Sequence, residues 1–528
     1  MLKDRIECGA LALSRAVREL YAAQQTDYSM EPLVLADEGG EPVGRIHAGD
    51  GVIFCCRRGE REVELTEAFT DPGFDRFPRP DQRDLTFVIL TLYHEKFKDL
   101  PVAFAPARIP DTLAEVISRA GLQQLHTSES EKFAHVTFFF NGGNNEPFPG
   151  EQDVSVPSLR GVPFEQAPAL SLPQVAQEVL RGIHEGVDFI AANFANGDVI
   201  GHTANREAKL ACASIVDRHL GSVADAALAR GYVVFVTADH GNLEELVTPE
   251  GKPHVSHTTN PVSLILLDPR VTGPVYLRDG KLADVAPSVL AALDIPQPAA
   301  MTGANLAPDH EGGGRRRVLL LILDGWGMGQ QDDTNPIFLA PTPRWDDLLR
   351  RFGSSTLQAS GEAVGLKPGK PGNSEAGHLN LGAGRVVLQD DVRLDAAMED
   401  GSFQTNPIFL QTIEDVKRRG ANLHLIGLLS EKSSHGSIEY PLALLRMAKE
   451  HGLKRAFVHL IFDGRSTEPG SAPSLLDRLE DRIAEIGIGT VVTGMGRAVA
   501  LDRDGNYTNI QRAYEAMVLG KGRLFTLD

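Results

Sequence analysis

VLLLILDGWG, residues 318–327, is an unbroken apolar run that ends on an aspartate and a glycine-bounded turn. A strand that is apolar at every position, rather than at every second one, must be covered on both faces. Two-sided cover belongs to parallel sheets lying between layers of helices. Four further runs read the same way: VDFIAANF (187–194), YVVFVTAD (232–239), NLHLIGLL (422–429) and AFVHLIFD (456–463). Helical patterns lie between them, so the chain predicts an α/β architecture. At 528 residues it exceeds what one hydrophobic core organises, and two domains are expected.

Lys and Arg total 52 against 71 Asp and Glu, a formal net charge of −19. This balance disfavours nucleic acid and anionic membrane as partners, so an anionic substrate would need a local basic cluster. Cys8, Cys55, Cys56 and Cys212 show no metal-ligand spacing and fit a reducing cytoplasm. The adjacent Cys55 and Cys56 read either as a redox device or, more commonly for such pairs, as buried thiols. MLKDRIECGALALSRAVREL (1–20) reads as an amphipathic helix rather than a signal peptide, and no run approaches the roughly 20 apolar residues of a membrane span. A cytoplasmic protein is the expectation. The clearest linker is PDHEGGGRRR (308–317), while FPRPDQRD (77–84) and LKPGKPGNS (366–374) read as surface loops.

Three of the apolar runs end in Asp or His. VLLLILDGWG places Asp324, FVTADHGN (235–242) places Asp239 and His240, and NFANGDVIGH (193–202) places Asp198 with His202 four residues on. The carboxyl ends of strands in an open α/β sheet form the ligand crevice, so these groups can converge. His257, in PHVSHTTNP (253–261), completes a set of three Asp and three His, a mixture suited to Mn²⁺ or Zn²⁺ rather than to an all-oxygen Ca²⁺ cage. One such Asp alone would be a helix cap and one such His a core or surface residue. The recurrence of the pair at three strand ends makes a binuclear centre the leading reading.

GKPGNSEAGHLNLGAGR (369–385) supplies a hydroxyl, Ser374, at the expected start of a helix. It reads as an N-cap or as a nucleophile activated by a metal, with the helix N-terminus favouring phosphate. Arg58 and Arg61 in CCRRGER, Arg465 in FDGRST, and Arg497 with Arg503 in GRAVALDRD are unremarkable singly. As a group in an acidic protein, with His435 in SEKSSHGS, they suit bidentate clamping of phosphate and carboxylate.

These motifs resemble those of the cofactor-independent phosphoglycerate mutases, members of the alkaline phosphatase superfamily. LDGWG, GNSEAGHLNLGAGR, ESEKFAHVTFFFNGG (129–143), NFANGDVIGHT, TADHGN, HTTNPV and MTGANL (301–306) carry the resemblance. It implies an alkaline-phosphatase-like sheet flanked by helices, plus a second α/β substrate-binding domain. The motif order differs, because the family's closing motifs end near residue 306 here and its opening motif begins near 318. A circular permutation accounts for this: the usual ends are joined through 307–317, and new ends are cut after RAYEAMVLGKG (512–522). Residues 1–104 and 391–528 would then form the substrate-binding domain and 105–390 the phosphatase-like metal domain.

The resemblance implies that Asp198, His202 and His257 bind one Mn²⁺, and Asp324, Ser374, Asp239 and His240 the other. His435, Arg465, Ser466, Arg497, Arg503, Arg58, Arg61 and Lys132 fall on its substrate-binding positions. Ser374 would take the phosphoryl group of 3-phosphoglycerate and return it to the 2-hydroxyl, without 2,3-bisphosphoglycerate, in glycolysis and gluconeogenesis. A monomer whose domains close on each other is implied as well.

Departures from the pattern lie in the substrate-binding part. The family's DGRD stands here as DGRS, so Ser466 occupies the place of an aspartate expected to move a proton. Cys56-Arg57 replaces Asn-Phe, EKSSHGS replaces DGGVHSH, and Ala498-Val499 replaces Tyr-Tyr. A phosphomutase or phosphatase acting on another small phosphorylated acid, and a catalytically silent homologue, are therefore the alternatives.

Overall fold

The computed structural model describes residues 8–57, 59–80, 84–105, 108–271, 273–310, 314–431, 433 and 435–527. The chain divides into a terminal unit, Met1–Pro106 with Arg393–Asp528, and a middle unit, Ala107–Val392. Each is built on an eight-stranded sheet.

In the middle unit the strands run in the order Gly280–Lys281, Ser355–Gln358, Val262–Leu267, Val233–Thr237, Val318–Leu323, Phe189–Phe194, Gln124–Glu129, Glu151–Val156. Val318–Leu323 is central and pairs in parallel with Val233–Thr237 on one side and Phe189–Phe194 on the other. Every residue of these three strands is buried. Two-sided burial explains their continuous apolar composition; each fully buried Leu, Ile, Val or Phe contributes roughly 1.5–3 kcal/mol. Val262–Leu267 departs from the parallel pattern, pairing antiparallel with both neighbours. The helix Leu172–Glu185 shows how the cover is made: Leu172, Val175, Ala176, Val179 and Ile183 face inward at helical spacing, and Gly186 at φ 77 ends the helix in the left-handed region.

The terminal unit orders its strands Arg523–Thr526, Leu33–Ala36, Thr490–Gly496, Ala456–Phe462, Leu423–Leu429, Gly51–Cys55, Thr86–Thr91, Val102–Phe104. The pairing is parallel except between Leu33–Ala36 and Thr490–Gly496. Leu423, Leu425 and Leu429 enter one apolar core while Ile426 and Leu428 enter the core on the opposite face. The same alternation separates the two adjacent thiols: Cys55 joins the first core and Cys56 the second. Both are free and buried, and burial pushes both thiols up, so this pair is packing rather than redox chemistry.

The first described helix is Ala10–Ala22; it begins after Gly9, whose φ of 83 is incompatible with helix continuation, and residues 1–7 of the expected helix lie outside the described residues. Residues 311–313 of the expected linker also lie outside them. On either side the tether is pinned to one carboxylate, since His310 Nε2 and Arg316 Nη1 each lie 3.0 Å from Asp268 Oδ2. Among the described residues no helix is long and apolar enough to cross a membrane.

A buried polar chain crosses the terminal sheet. Asp50 Oδ2 lies 3.2 Å from His424 Nε2, His424 Nδ1 3.0 Å from His459 Nε2, and His459 Nδ1 2.9 Å from Thr493 Oγ1. Burial lowers both imidazoles, most of all His459, while Asp50 partly offsets this at His424. Folded-state values below the ordinary value of about 6.5 mean that the unfolded chain takes up protons the fold refuses, so stability is full above that pH and is lost as pH falls through it. The urea midpoint is therefore expected to fall between pH 7 and pH 5, and to fall less in His459→Gln. An equal fall in the variant would remove this chain from the explanation.

Candidate active site

The parallel register sets the three strand ends level, with Leu323 opposite Phe194 and Ile322 opposite Thr237. Asp324 leaves the central strand directly, Asp239 and His240 follow Val233–Thr237, and Asp198 lies in the short helix Asn196–Gly201 after Phe194. The turn after Asp324 demands glycine: Gly325 has φ 72, and a Cβ there would lie 2.6 Å from Asp198 N.

Ser374 opens the helix Ser374–Ala383, but Asn373 caps it, its side chain accepting from Ala376 N at 2.8 Å. The serine hydroxyl is thereby left to other partners. Lys132 Nζ donates to Ser374 Oγ at 2.6 Å, His240 Nε2 lies 3.0 Å from it, and Ser374 Oγ donates to Asp324 Oδ1 at 3.3 Å. Lys132 Nζ also reaches Asp198 Oδ2 at 2.7 Å and Asp324 Oδ1 at 3.0 Å. Burial disfavours the ammonium, yet Asp324, Asp198 and Asp239 hold it above its ordinary value.

The donor set fits cations. His202 Nδ1 lies 2.9 Å from Val255 O and His257 Nδ1 2.8 Å from Gly372 O, so in the neutral rings these nitrogens carry the protons. Their Nε2 atoms then face each other as acceptors at 3.1 Å, and lie 3.2 Å and 3.0 Å from Asp198 Oδ1. Three lone pairs that converge in this way call for a positive ion. Burial opposes the ionisation of Asp198, but the Lys132 ammonium holds its carboxyl well below the usual range.

A second group forms beside the first: Asp239, His240 and Asp324 bring one ligand atom each within 4.8 Å of one another, as do Asp198, His240 and His257. His240 Nε2 lies 3.4 Å from both Asp239 Oδ2 and Asp324 Oδ1. Burial disfavours its charge, but Asp239 and then Asp324 and Asp198 push it up to about 9. Asp239 Oδ2, although buried, has no hydrogen-bond partner among the described residues. Mixed oxygen and imidazole donors of this kind suit Mn²⁺ or Zn²⁺.

Sequence reasoning missed three supporting residues. Asn193 Nδ2 donates to Asp324 Oδ2 at 2.7 Å and lies 3.0 Å from His378 Nε2, whose Nδ1 is 2.9 Å from Ser374 O. Asn242 Nδ2 donates to Asp198 Oδ1 at 3.0 Å. The available signals were a polar residue inside an apolar strand, and a histidine four residues after Ser374 on the same helical face.

In the terminal unit the expected anion-clamp residues differ in burial and in partners. Arg497 is buried and paired with Asp463, and its Nε has no partner among the described residues, so it keeps a donor for an anion. His435 Nδ1 lies 3.2 Å from Glu62 Oε1, and Arg61 donates to Leu501 O at 3.0 Å. Arg465, Ser466 and Arg503 are exposed. Arg58 lies outside the described residues. Lys132, expected among the substrate-binding residues, lies in the middle unit with the acidic strand ends.

Comparison with known proteins adds to this geometry. Residues 8–297, more than half the chain, match the family described as the metalloenzyme superfamily. The chain belongs to the metalloenzyme superfamily. Residues 394–526 of this superfamily member match a second family, described as the N-terminus of BPG-independent PGAM. It is similar to the 2,3-bisphosphoglycerate-independent phosphoglycerate mutase of Moorella thermoacetica, 45% identical over 294 residues that make up 56% of each chain. The enzyme of that name from Syntrophotalea carbinolica is 45% identical over 55% of this chain and 56% of its own. The chain thus spans about half the length of the curated relatives it matches. A crystal structure of Leishmania mexicana phosphoglycerate mutase at low cobalt concentration aligns with a TM-score of 0.40 and 28% identity, covering 51% of this chain and 52% of that one.

Proposed function

We propose that this metalloenzyme interconverts 3-phosphoglycerate and 2-phosphoglycerate through a phosphoserine at Ser374, without 2,3-bisphosphoglycerate. The observation that carries the reading is the buried Ser374 Oγ, set 2.6 Å from Lys132 Nζ, 3.0 Å from His240 Nε2 and 3.3 Å from Asp324 Oδ1. Asp198, His202 and His257 would hold one divalent ion, and Asp324, Asp239, His240 and Ser374 the other, with Mn²⁺ the first choice. Bound ions of this kind lower the pKa of a coordinated hydroxyl and neutralise the oxygens of a transferring phosphoryl group.

The chain's own residues account for the rest. Lys132 places a fixed positive charge beside the attacking oxygen, and the amino end of the helix Ser374–Ala383 favours the phosphate. Asn193 and the carbonyls of Val255 and Gly372 fix Asp324 and the rings of His202 and His257. The bond from phosphorus to Ser374 Oγ forms as the bond to one glycerate oxygen breaks. The return reverses this at the other hydroxyl.

In the same reading the chain is a circular permutation joined through 307–317. The match described as an N-terminus lies at 394–526, behind the metalloenzyme match at 8–297, and this order supports it. Residues 1–104 and 391–528 would bind the small anionic substrate, with His435, Arg465, Ser466, Arg497, Arg503, Arg58 and Arg61, and residues 105–390 would carry the chemistry. The protein would act as a cytoplasmic monomer in glycolysis and gluconeogenesis. Ser466 favours a second reading, a phosphomutase or phosphatase for another small phosphorylated acid, because a serine cannot serve as a base near neutral pH.

Incubation with 3-phosphoglycerate and Mn²⁺, following 2-phosphoglycerate and free phosphate together, tests both. Accumulation of 2-phosphoglycerate with no added 2,3-bisphosphoglycerate is expected. Phosphate alone would replace the mutase with a phosphatase, and neither product would remove the proposed substrate.

A further inference from the structure

Moving a phosphoryl group between two hydroxyls needs a side chain that exchanges protons with them near neutral pH. Two of the candidates among the clamp residues of the terminal unit fail on chemistry. Ser466 offers an exposed hydroxyl, too weak an acid to serve. Asp463 is occupied at both oxygens, Oδ1 by Arg497 Nη1 and Oδ2 by the Ser466 amide at 3.0 Å. With both oxygens engaged, it is poorly placed to take a proton from a substrate hydroxyl.

The third candidate is a pair. Glu62, on the helix Gly59–Thr70, is wholly buried; its Oε1 lies 3.2 Å from His435 Nδ1, and its Oε2 has no partner among the described residues. Ser433 and His435 are held on several sides. His435 O accepts from Arg57 N at 2.9 Å, Ser433 O accepts from Arg57 Nη2 at 3.2 Å, and Ser433 Oγ accepts from His435 N at 3.3 Å. A buried carboxylate on one imidazole nitrogen makes that nitrogen the donor, fixes the ring, and leaves the opposite nitrogen as acceptor. The resemblance placed His435 among substrate-binding positions and says nothing of Glu62.

We infer that Glu62 is a positioning residue that makes His435 Nε2 the proton acceptor and donor for the hydroxyls of the substrate. This rests on the phosphomutase reading given above. In the first half-reaction the bond from phosphorus to one glycerate oxygen breaks and that oxygen takes the proton of His435 Nε2. In the second, the other hydroxyl gives its proton to Nε2 as its bond to phosphorus forms. The Nδ1 proton stays on the ring, held by Glu62, so Nε2 regains the proton it gave.

Burial pushes the Glu62 carboxyl up, and its hydrogen bond with His435 draws it back. Among the described residues Cys56 and Tyr93 also interact with Glu62, and burial raises both well above their ordinary values, out of the neutral range. Arg57 and Arg497 also face Cys56.

The experiment compares the full-length Mn²⁺ enzyme with Glu62→Gln, which is isosteric, and Glu62→Asp, which keeps the charge. In Glu62→Gln, kcat with 3-phosphoglycerate is expected to fall by about 10²-fold with KM within about twofold. The alkaline limb of its kcat/KM profile, where His435 Nε2 loses its proton, should move to lower pH, because the imidazolium has lost its counter-charge; in Glu62→Asp the limb should stay. Nitrogen-15 NMR of labelled histidines, with His435 identified by the signal lost in His435→Asn, should find the Nδ1–H tautomer in the wild type and a mixture in Glu62→Gln. An unchanged rate and pH profile, or an unchanged tautomer, overturns the inference. The NMR readout does not use turnover. A Glu62-dependent tautomer in an enzyme inert toward 3-phosphoglycerate would fail the substrate and keep the pair, and a mutase indifferent to Glu62→Gln would do the reverse.

Discussion

Ser374→Ala is expected to abolish phosphoryl transfer, lowering kcat by about 10⁴-fold or more, while leaving the fold intact. The loss is large because the substitution removes the atom that would carry the phosphoryl group, and Lys132 Nζ, His240 Nε2 and Asp324 Oδ1 would then surround a methyl group. The fold should survive because the cap of the helix is Asn373, not Ser374, and alanine is a better helix former than serine. Acid-quenched samples supply the direct check: mass spectrometry should detect a phosphorylated peptide spanning residue 374 in the wild type and none in the variant. Turnover at the wild-type rate would mean that another group is the nucleophile.

Lys132→Met should act on stability and catalysis at once, with opposite responses to metal. Its side chain is 7% exposed and touches Asp198 and Asp324, which are themselves buried. Removing the ammonium leaves these carboxylates without their nearest fixed cation, a change that costs about 3–5 kcal/mol at buried pairs. Without divalent metal the variant should melt well below the wild type, and Mn²⁺ should raise its Tm more than it raises that of the wild type, because the ion supplies the missing positive charge. Turnover should nevertheless stay about 10²–10³-fold low with metal present, since a metal ion cannot replace a donor aimed at Ser374 Oγ. Thermal scans in chelator and in Mn²⁺, set beside kcat, separate the two effects. Equal metal gains in Tm would show that Lys132 carries no such charge balance.

The fold was legible in the sequence where burial is two-sided. Val318–Leu323, Phe189–Phe194 and Val233–Thr237 are apolar at nearly every position because both faces are covered, and in the structure they are neighbours. The shared Asp and His endings followed from that adjacency. Gln124–Glu129, by contrast, reads QLHTSE yet is buried throughout, with polar side chains such as His126 paired inside the fold, here at Val136 O, 2.8 Å away. Composition cannot reveal a strand of that kind. Nor could local pattern reveal the antiparallel pairing of Val262–Leu267, which depends on the route of the chain rather than on its residues.

Within the site, residues that offer atoms to a metal were legible because their types are few and their chemistry is distinctive. Those that orient them were not. Asn193 serves Asp324 across 131 positions of sequence, and Glu62 meets His435 across 373. Ser374 itself was ambiguous between capping and chemistry until Asn373 was seen to hold Ala376 N. A glutamate directly after an exposed-looking arginine cluster reads as solvated surface, and only the fold turns Glu62 inward.

The order of strands in the middle unit also governs how the chain can be made. Val318–Leu323 lies between Phe189–Phe194 and Val233–Thr237 in space but follows both in sequence. As a nascent chain emerges from the ribosome, those two strands therefore have no partner between them until residue 323 has been synthesised, and their apolar edges must be kept apart meanwhile. The terminal unit waits longer still, since Leu33–Ala36 pairs with Thr490–Gly496 and Arg523–Thr526, both near the other end of the chain. The middle sheet can close only once Ser355–Gln358 has emerged, and the terminal sheet only when the chain is nearly finished, so the unit that contains the first residues made is the last to fold.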